Sequence, residues 1–209
     1  MPFIQSFNSY LIIFTRYPEP GVTKTRLIPA LGEVGAATLQ RQMIEQTLTT
    51  ARLVCPSTIA IWFTGGSEAQ MQAWLGDDLK YHPQSSGDLG DRMATAFQVT
   101  FAQGADRAVI IGTDCPALTP DAIAKAFELL DTFDLVLGPA MDGGYYLMGL
   151  NQFHPALFAG IAWSTDQVLS QTVTIAETLS LTTAYLAPLT DIDRPEDLAS
   201  LDPTRWYLG

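Results

Sequence analysis

A chain of 209 residues with 47% apolar and 16% charged side chains can bury a full core and lacks the composition of a disordered protein. Its 22 Asp plus Glu against 11 Lys plus Arg give a formal net charge of −11, which argues against nucleic acid and anionic membrane surfaces as partners. No stretch nears the roughly 20 apolar residues of a membrane span. The opening residues lack a basic leader segment and the apolar run 11–14 is too short for a signal core, so a cytoplasmic protein is expected.

Residues 10–14 read as a first buried strand. Over 33–53, Val34, Ala37, Leu39, Met43, Ile44, Thr47 and Leu48 fall close to helical spacing. A second strand over 59–63 ends at Gly65 and Gly66, and Ser67 is placed to cap a helix reaching Leu75. A short strand over 79–82 precedes Gly-Asp-Leu-Gly at 87–90, which opens a helix to about Gln103. Residues 108–111 form the next strand, and Thr119 with Pro120 starts a helix ending at Leu130. A strand over 135–138 is followed by one over 145–150 too closely for a crossover helix, so that pair is not simply parallel. A helix over 164–179, a late strand over 184–186 and a closing helix over 195–201 complete the chain. His82 and His154 each precede a proline and read as turn residues. This alternation predicts an α/β fold, a mostly parallel sheet with helices on both faces. With no linker, low-complexity tract or repeat, residues 1–209 are expected to form a single domain.

Four aspartates stand where strand-like runs give out: Asp114, Asp142, Asp191 and Asp193. Open parallel sheets bind ligands beyond the carboxyl ends of their strands, so these carboxylates are expected to converge. Aspartate is also an ordinary turn former. Converged carboxylates repel one another, and a hard divalent cation, Mg²⁺ or Mn²⁺, is the usual remedy. Such a cation in turn points to a phosphate-bearing substrate. The loop after the first strand gathers Arg16, Lys24 and Arg26 in an otherwise acidic chain, with Pro18, Pro20 and Gly21 restricting or turning its backbone. It reads either as a phosphate-facing loop or as a solvated surface loop. Gly143 and Gly144 after Asp142 allow a ligand close to the backbone, and serve a tight turn equally well.

Several other chemistries lack their residues. The position before Lys24 is Thr23, where a P-loop requires glycine, and no G-x-G-x-x-G follows the first strand. Neither histidine is placed as a base, which removes a Ser-His-Asp triad. Cys55 and Cys115 have no metal-binding spacing, and Cys115 has no histidine to activate it, so it reads as a small buried residue.

The chain also carries P-G-x-x-K-T-R-L (20–27), G-D-L-G-D-R-M (87–93), I-G-T-D-C-P (111–116), G-P-A-M-D-G-G-Y-Y-L (138–147), W-S-T (163–165) and D-I-D-R-P-E-D-L (191–198). In this order the motifs resemble the radical-SAM/selenodomain-associated transferases, a glycosyltransferase-like family linked to arsenosugar biosynthesis. The resemblance implies a nucleotide-diphospho-sugar transferase fold of the glycosyltransferase A type. It implies a metal held by Asp114, Asp191 and Asp193, and substrate contacts from Arg16, Lys24, Arg26, Asp88, Arg92, Gly143, Gly144, Tyr145, Trp163, Ser164 and Thr165. Met141 departs from the pattern, which commonly has an acid there. The expected reaction is transfer of a sugar from a nucleoside diphosphate sugar to a small-molecule acceptor. Lys24 and Arg26 would steady the diphosphate, and Asp142 would orient or deprotonate the acceptor hydroxyl. Nucleotidyl transfer of the guanylyl or cytidylyl type, releasing pyrophosphate, is the alternative, and a non-catalytic nucleotide-binding protein is a third reading.

Overall fold

The computed structural model describes residues 7–54, 56–202 and 204–206. Cys55 and the first residues of the leader reading lie outside them. Seven strands form one sheet in the order β3-β2-β1-β4-β6-β5-β7. They are β1 (Ser9–Arg16), β2 (Thr58–Thr64), β3 (Lys80–Pro83), β4 (Arg107–Ile111), β5 (Leu135–Pro139), β6 (Tyr145–Leu150) and β7 (Thr183–Tyr185). All pairings are parallel except those of β6, which runs antiparallel to both β4 and β5. The short connection between β5 and β6 dictates this, since a parallel return needs a crossover.

Burial on both faces explains the near-continuous apolar strands. Along β1, Leu11 and Ile13 face one core while Tyr10 and Ile12 face the other. Helices α1 (Ile28–Val54), α2 (Glu68–Leu75) and α4 (Pro120–Leu129) cover the first face through Ile44, Leu48, Met71, Leu75, Ile123 and Phe127. Helices α3 (Leu89–Ala102) and α5 (Val168–Thr178) cover the second, with Met93, Ala96, Phe97 and Ala176. A third cluster joins Leu27, Leu39 and Met43 to Ile192, Leu201 and Trp206, clamping the loop after β1 against the end of the chain. None of the helices among the described residues is long and apolar enough to cross a membrane.

Several expectations from the sequence are corrected. Helix α1 adds a short turn over 28–31 that the sequence reading did not include; non-helical Gly32 (φ 70°) separates it from the long segment that starts at 33 as expected. Helix α5 begins at Val168, not at 164. Residues 163–165 form a turn before it, in which the Thr165 hydroxyl donates to the Ala162 carbonyl (2.6 Å) and Ser164 adopts φ 64°. The closing helix is a 3-10 helix, Pro195–Ser200. His82 is a strand residue stacked on Trp62 (4.8 Å between centroids), because the position before a proline favours extended backbone as readily as a turn. Ser67 and Thr119 cap α2 and α4 as their sequence contexts imply.

Edge strand β7 is tied to β5 through Asp134. The Asp134 carboxylate accepts hydrogen bonds from the Thr182 hydroxyl (2.6 Å) and amide (2.8 Å). These bonds, the hydroxyl's first, hold its carboxyl below the usual carboxylate range. A pKa lowered by folding contributes stability above the unfolded value of about 4, and loses it as pH falls through the folded value. Asp134→Ala is expected to cost about 1 kcal/mol at pH 7, discounted for its exposure to solvent. The difference from wild type, read by urea unfolding, should shrink below about pH 4.

Candidate active site

The strand order reverses at β1, which has β2 on one side and β4 on the other. Crevices at such reversals are where open α/β sheets bind ligands, and the loops after β1 and β4 flank this one. The loop after β1 folds around Thr23, which is 2% exposed. The Thr23 hydroxyl accepts from the Glu19 amide (3.1 Å) and donates to the Tyr17 carbonyl (3.1 Å). Lys24 follows in the left-handed region (φ 49°, ψ 45°), a conformation costing a lysine about 1–2 kcal/mol. It is held there by the Thr23 knot before it and by fully buried Leu27 after it.

The Lys24 side chain is only 5% exposed. Its ammonium lies 3.0 Å from Asp114 Oδ1 and 3.8 Å from Asp193 Oδ1, and donates to the Ile192 carbonyl (2.5 Å). Arg26 reaches the other oxygen of Asp193 and is 64% exposed. Arg16, at the end of β1, is exposed. Read in the sequence as either phosphate-facing or solvated, the loop turns Lys24 inward and leaves the two arginines exposed.

Asp114 follows β4 through Gly112 and Thr113. The Thr113 hydroxyl is buried against Thr15 (3.4 Å) and accepts from Gln40 (3.2 Å). The Asp114 carbonyl accepts from the Ile192 amide (2.8 Å), which stitches this loop to the 191–193 segment. Asp197 accepts from the amides of Asp193 (3.0 Å) and Arg194 (2.6 Å) and so fixes that segment from behind. The role of Asp197 was missed in the sequence, although an Asp in the first turn after Pro195 is a recognisable cap. Asp142 sits at the exposed tip between β5 and β6 and accepts from the Gly144 amide (2.9 Å).

Asp114 and Asp193 meet at the Lys24 ammonium, and Asp191 lies within reach of the charges of the other three aspartates. Burial pushes the Asp191 carboxyl up, and the neighbouring charges of Asp142, Asp193 and Asp114 push it further. Burial likewise raises the Cys115 thiol, reinforced by Asp191, Asp114 and Asp142 against the opposing Lys24, so it is no thiolate nucleophile. Among the described residues no three His, Cys, Asp or Glu side chains are gathered into a ligand cage. The Lys24 ammonium stands between two of the acids.

The remaining expected contacts are only partly brought together. Gly90, in the first turn of α3, lies against the Trp163 indole, where a Cβ would come within 2.3 Å. Gly143 (φ 90°) lies against the Asp166 backbone, and its carbonyl accepts from the Leu169 amide (2.9 Å). Segments 87–93 and 163–165 therefore touch through Gly90 and Trp163, and Gly143 packs against Asp166 and Leu169 just beyond. Within them Asp88 is engaged as the α3 cap, accepting from Asp91 N (2.9 Å), and Arg92 donates to the Gly87 carbonyl (3.0 Å). Tyr145 turns into the second core with its hydroxyl buried, which pushes that group's pKa up.

The seven-stranded, mostly parallel sheet flanked by helices is a nucleotide-diphospho-sugar transferase-like fold. The chain belongs to the family described as uncharacterized protein conserved in bacteria (DUF2064), whose profile matches residues 47–165. It is similar to a Desulfovibrio desulfuricans G20 protein provisionally named a nucleotide-diphospho-sugar transferase. Identity is 35% over 90% of this chain and 84% of that one, with a TM-score of 0.85. The fold is shared with Rv0371c of Mycobacterium tuberculosis H37Rv in complex with manganese (13% identity, 93% and 97% of the chains, TM-score 0.58). It is shared too with 4-diphosphocytidyl-2C-methyl-D-erythritol synthase of Anaerococcus prevotii DSM 20548 (11%, 92% and 94%, TM-score 0.61). No curated protein matches the chain.

Proposed function

We propose that this chain is a metal-dependent glycosyltransferase that moves a sugar from a cytoplasmic nucleoside diphosphate sugar to a hydroxyl of a small-molecule acceptor. One observation carries the reading: Asp114 and Asp193 meet the cations Lys24 and Arg26, with Asp142 and Asp191 close enough to act through their charge, so that four loops come together at the strand ends of the sheet. The provisional name of the 35% identical relative agrees with it. The single sheet supports treating the chain as one domain that contains the whole site. The resemblance to a family linked to arsenosugar biosynthesis fits a small acceptor.

The donors are carboxylate oxygens, which suit Mg²⁺ or Mn²⁺. Magnesium commonly binds through one or two carboxylates plus substrate phosphates, so the lack of a three-ligand cage fits. Asp114 and Asp193, with Asp191 beside them, are the residues that would hold the cation. When bound, it neutralises charge that grows on the departing diphosphate. Manganese in the structural relative Rv0371c points the same way. Arg26 and Arg16, both exposed, can supply donors to the same oxygens, and a guanidinium can do so with two parallel bonds. In the transfer, the bond between the anomeric carbon and the diphosphate oxygen breaks and one to the acceptor oxygen forms. The acceptor proton passes to Asp142 or solvent, and nucleoside diphosphate leaves.

The same site geometry serves nucleotidyl transfer, so the test reads the leaving group. Common nucleotide sugars and nucleoside triphosphates, the latter with sugar phosphates, are incubated with the protein and Mn²⁺ and resolved by chromatography. Slow release of nucleoside diphosphate from one nucleotide sugar, without an acceptor, is expected. Pyrophosphate as the sole product, with every nucleotide sugar intact, would establish nucleotidyl transfer instead.

A further inference from the structure

The placement of Lys24 divides the cations of its loop into two kinds. Its side chain is 5% exposed, whereas those of the acids it touches are 49% (Asp114) and 32% (Asp193) exposed. The ammonium is therefore more deeply buried than the two carboxylates it joins; Arg26 takes the second oxygen of Asp193, while Lys24 pairs with Asp114 through Oδ1. Its acceptors are already in place: Asp114 Oδ1 and the Ile192 carbonyl within hydrogen-bond distance, and Asp193 Oδ1 at ion-pair distance. Swinging it outward to a phosphate would strand a buried carbonyl and break the pairing of both acids.

From this arrangement we infer that Lys24 is a positioning residue and not a phosphate ligand: its buried ammonium holds Asp114 and Asp193 side by side as one metal-binding pair. Phosphate contact falls to Arg26 and Arg16. The inference rests on the metal site proposed above. Its physical basis is that two carboxylates in one crevice repel, and a fixed cation between them offsets that repulsion before any metal arrives. Partners that orient metal-binding carboxylates typically contribute 10–100-fold to metal affinity.

Two measurements test this, and neither requires turnover. The first is Mn²⁺ retained by the protein in equilibrium dialysis with pyrophosphate on both sides, since the proposed site takes its metal together with substrate phosphate. Lys24→Met should weaken it by on the order of 10–100-fold while near-ultraviolet circular dichroism shows native packing. Unchanged Mn²⁺ affinity in the folded variant overturns the inference; no Mn²⁺ binding by wild type overturns the metal reading itself, so the two failures are separable. The second uses wild-type protein and so survives a variant that does not fold. Lysine acylation, followed by mass spectrometry, should modify Lys24 at least about tenfold more slowly than half-exposed Lys125, with or without pyrophosphate and Mg²⁺. Acylation of Lys24 as fast as Lys125, with protection by pyrophosphate, would make it a phosphate ligand and reject the positioning role.

Discussion

Asp114→Asn is expected to lower turnover by on the order of 10²–10³ while leaving the fold intact, the scale for removing one electrostatic stabiliser from a site of developing charge. The change is isosteric. The asparagine carbonyl oxygen can still accept from Lys24, now at 3.0 Å from Asp114 Oδ1, and the backbone bond from Ile192 to the Asp114 carbonyl is untouched. What disappears is a unit of charge on a half-exposed side chain at the mouth of the crevice. Nucleotide binding in wild type should fall with chelator, and the variant should show little further loss because it has already lost a metal ligand. Steady-state rates with Mn²⁺ on the preferred nucleotide sugar, together with a thermal melt, provide the check. Wild-type rates in Asp114→Asn would remove this residue from the metal site.

The sheet was legible because its signals are local. Short apolar runs alternating with helical spacing give a parallel α/β sheet, and five residues between β5 and β6 leave no room for a crossover helix. The approach of Asp114, Asp142, Asp191 and Asp193 to one another was legible too, since parallel strands bring their carboxyl ends to one edge. What failed locally did so where side chains compete with the backbone. The Thr165 hydroxyl satisfies the Ala162 carbonyl and holds 163–165 in a turn, so the helical pattern starts late. His82 gains a stacking partner in Trp62 that only the sheet register supplies. The burial of Lys24 was illegible for a different reason. Arg26 and Asp193 are 167 residues apart, and which cation of the loop turns inward depends on the third core cluster that closes the chain end over it. Sequence spacing placed the charges in one crevice but carried no information about how deeply each would be buried.

Gly143→Ala is expected to reduce kcat/KM by on the order of 100-fold, the cost of displacing a reacting group by about 1 Å. Gly143 combines a φ of 90° with a Cβ position only 2.3 Å from the Asp166 carbonyl oxygen. That atom is backbone and cannot rotate away, so the tip carrying Asp142 must move. The bond from the Leu169 amide to the Gly143 carbonyl resists the movement and passes the strain to the start of α5. Stability should fall as well, by about 1–2 kcal/mol for the left-handed backbone and a further ~1–3 kcal/mol for overpacking. Two other glycines separate these effects. Gly160 (φ 75°) has nothing within 4 Å of its Cβ position, so Gly160→Ala should lower the melting temperature and spare turnover. Gly144 has no such backbone demand and would meet only an Asp142 oxygen at 3.2 Å, so Gly144→Ala should be milder than Gly143→Ala in both assays. Equal activity in Gly143→Ala and Gly160→Ala would show that the tip does not position reacting groups, and would detach Asp142 from the proposed chemistry.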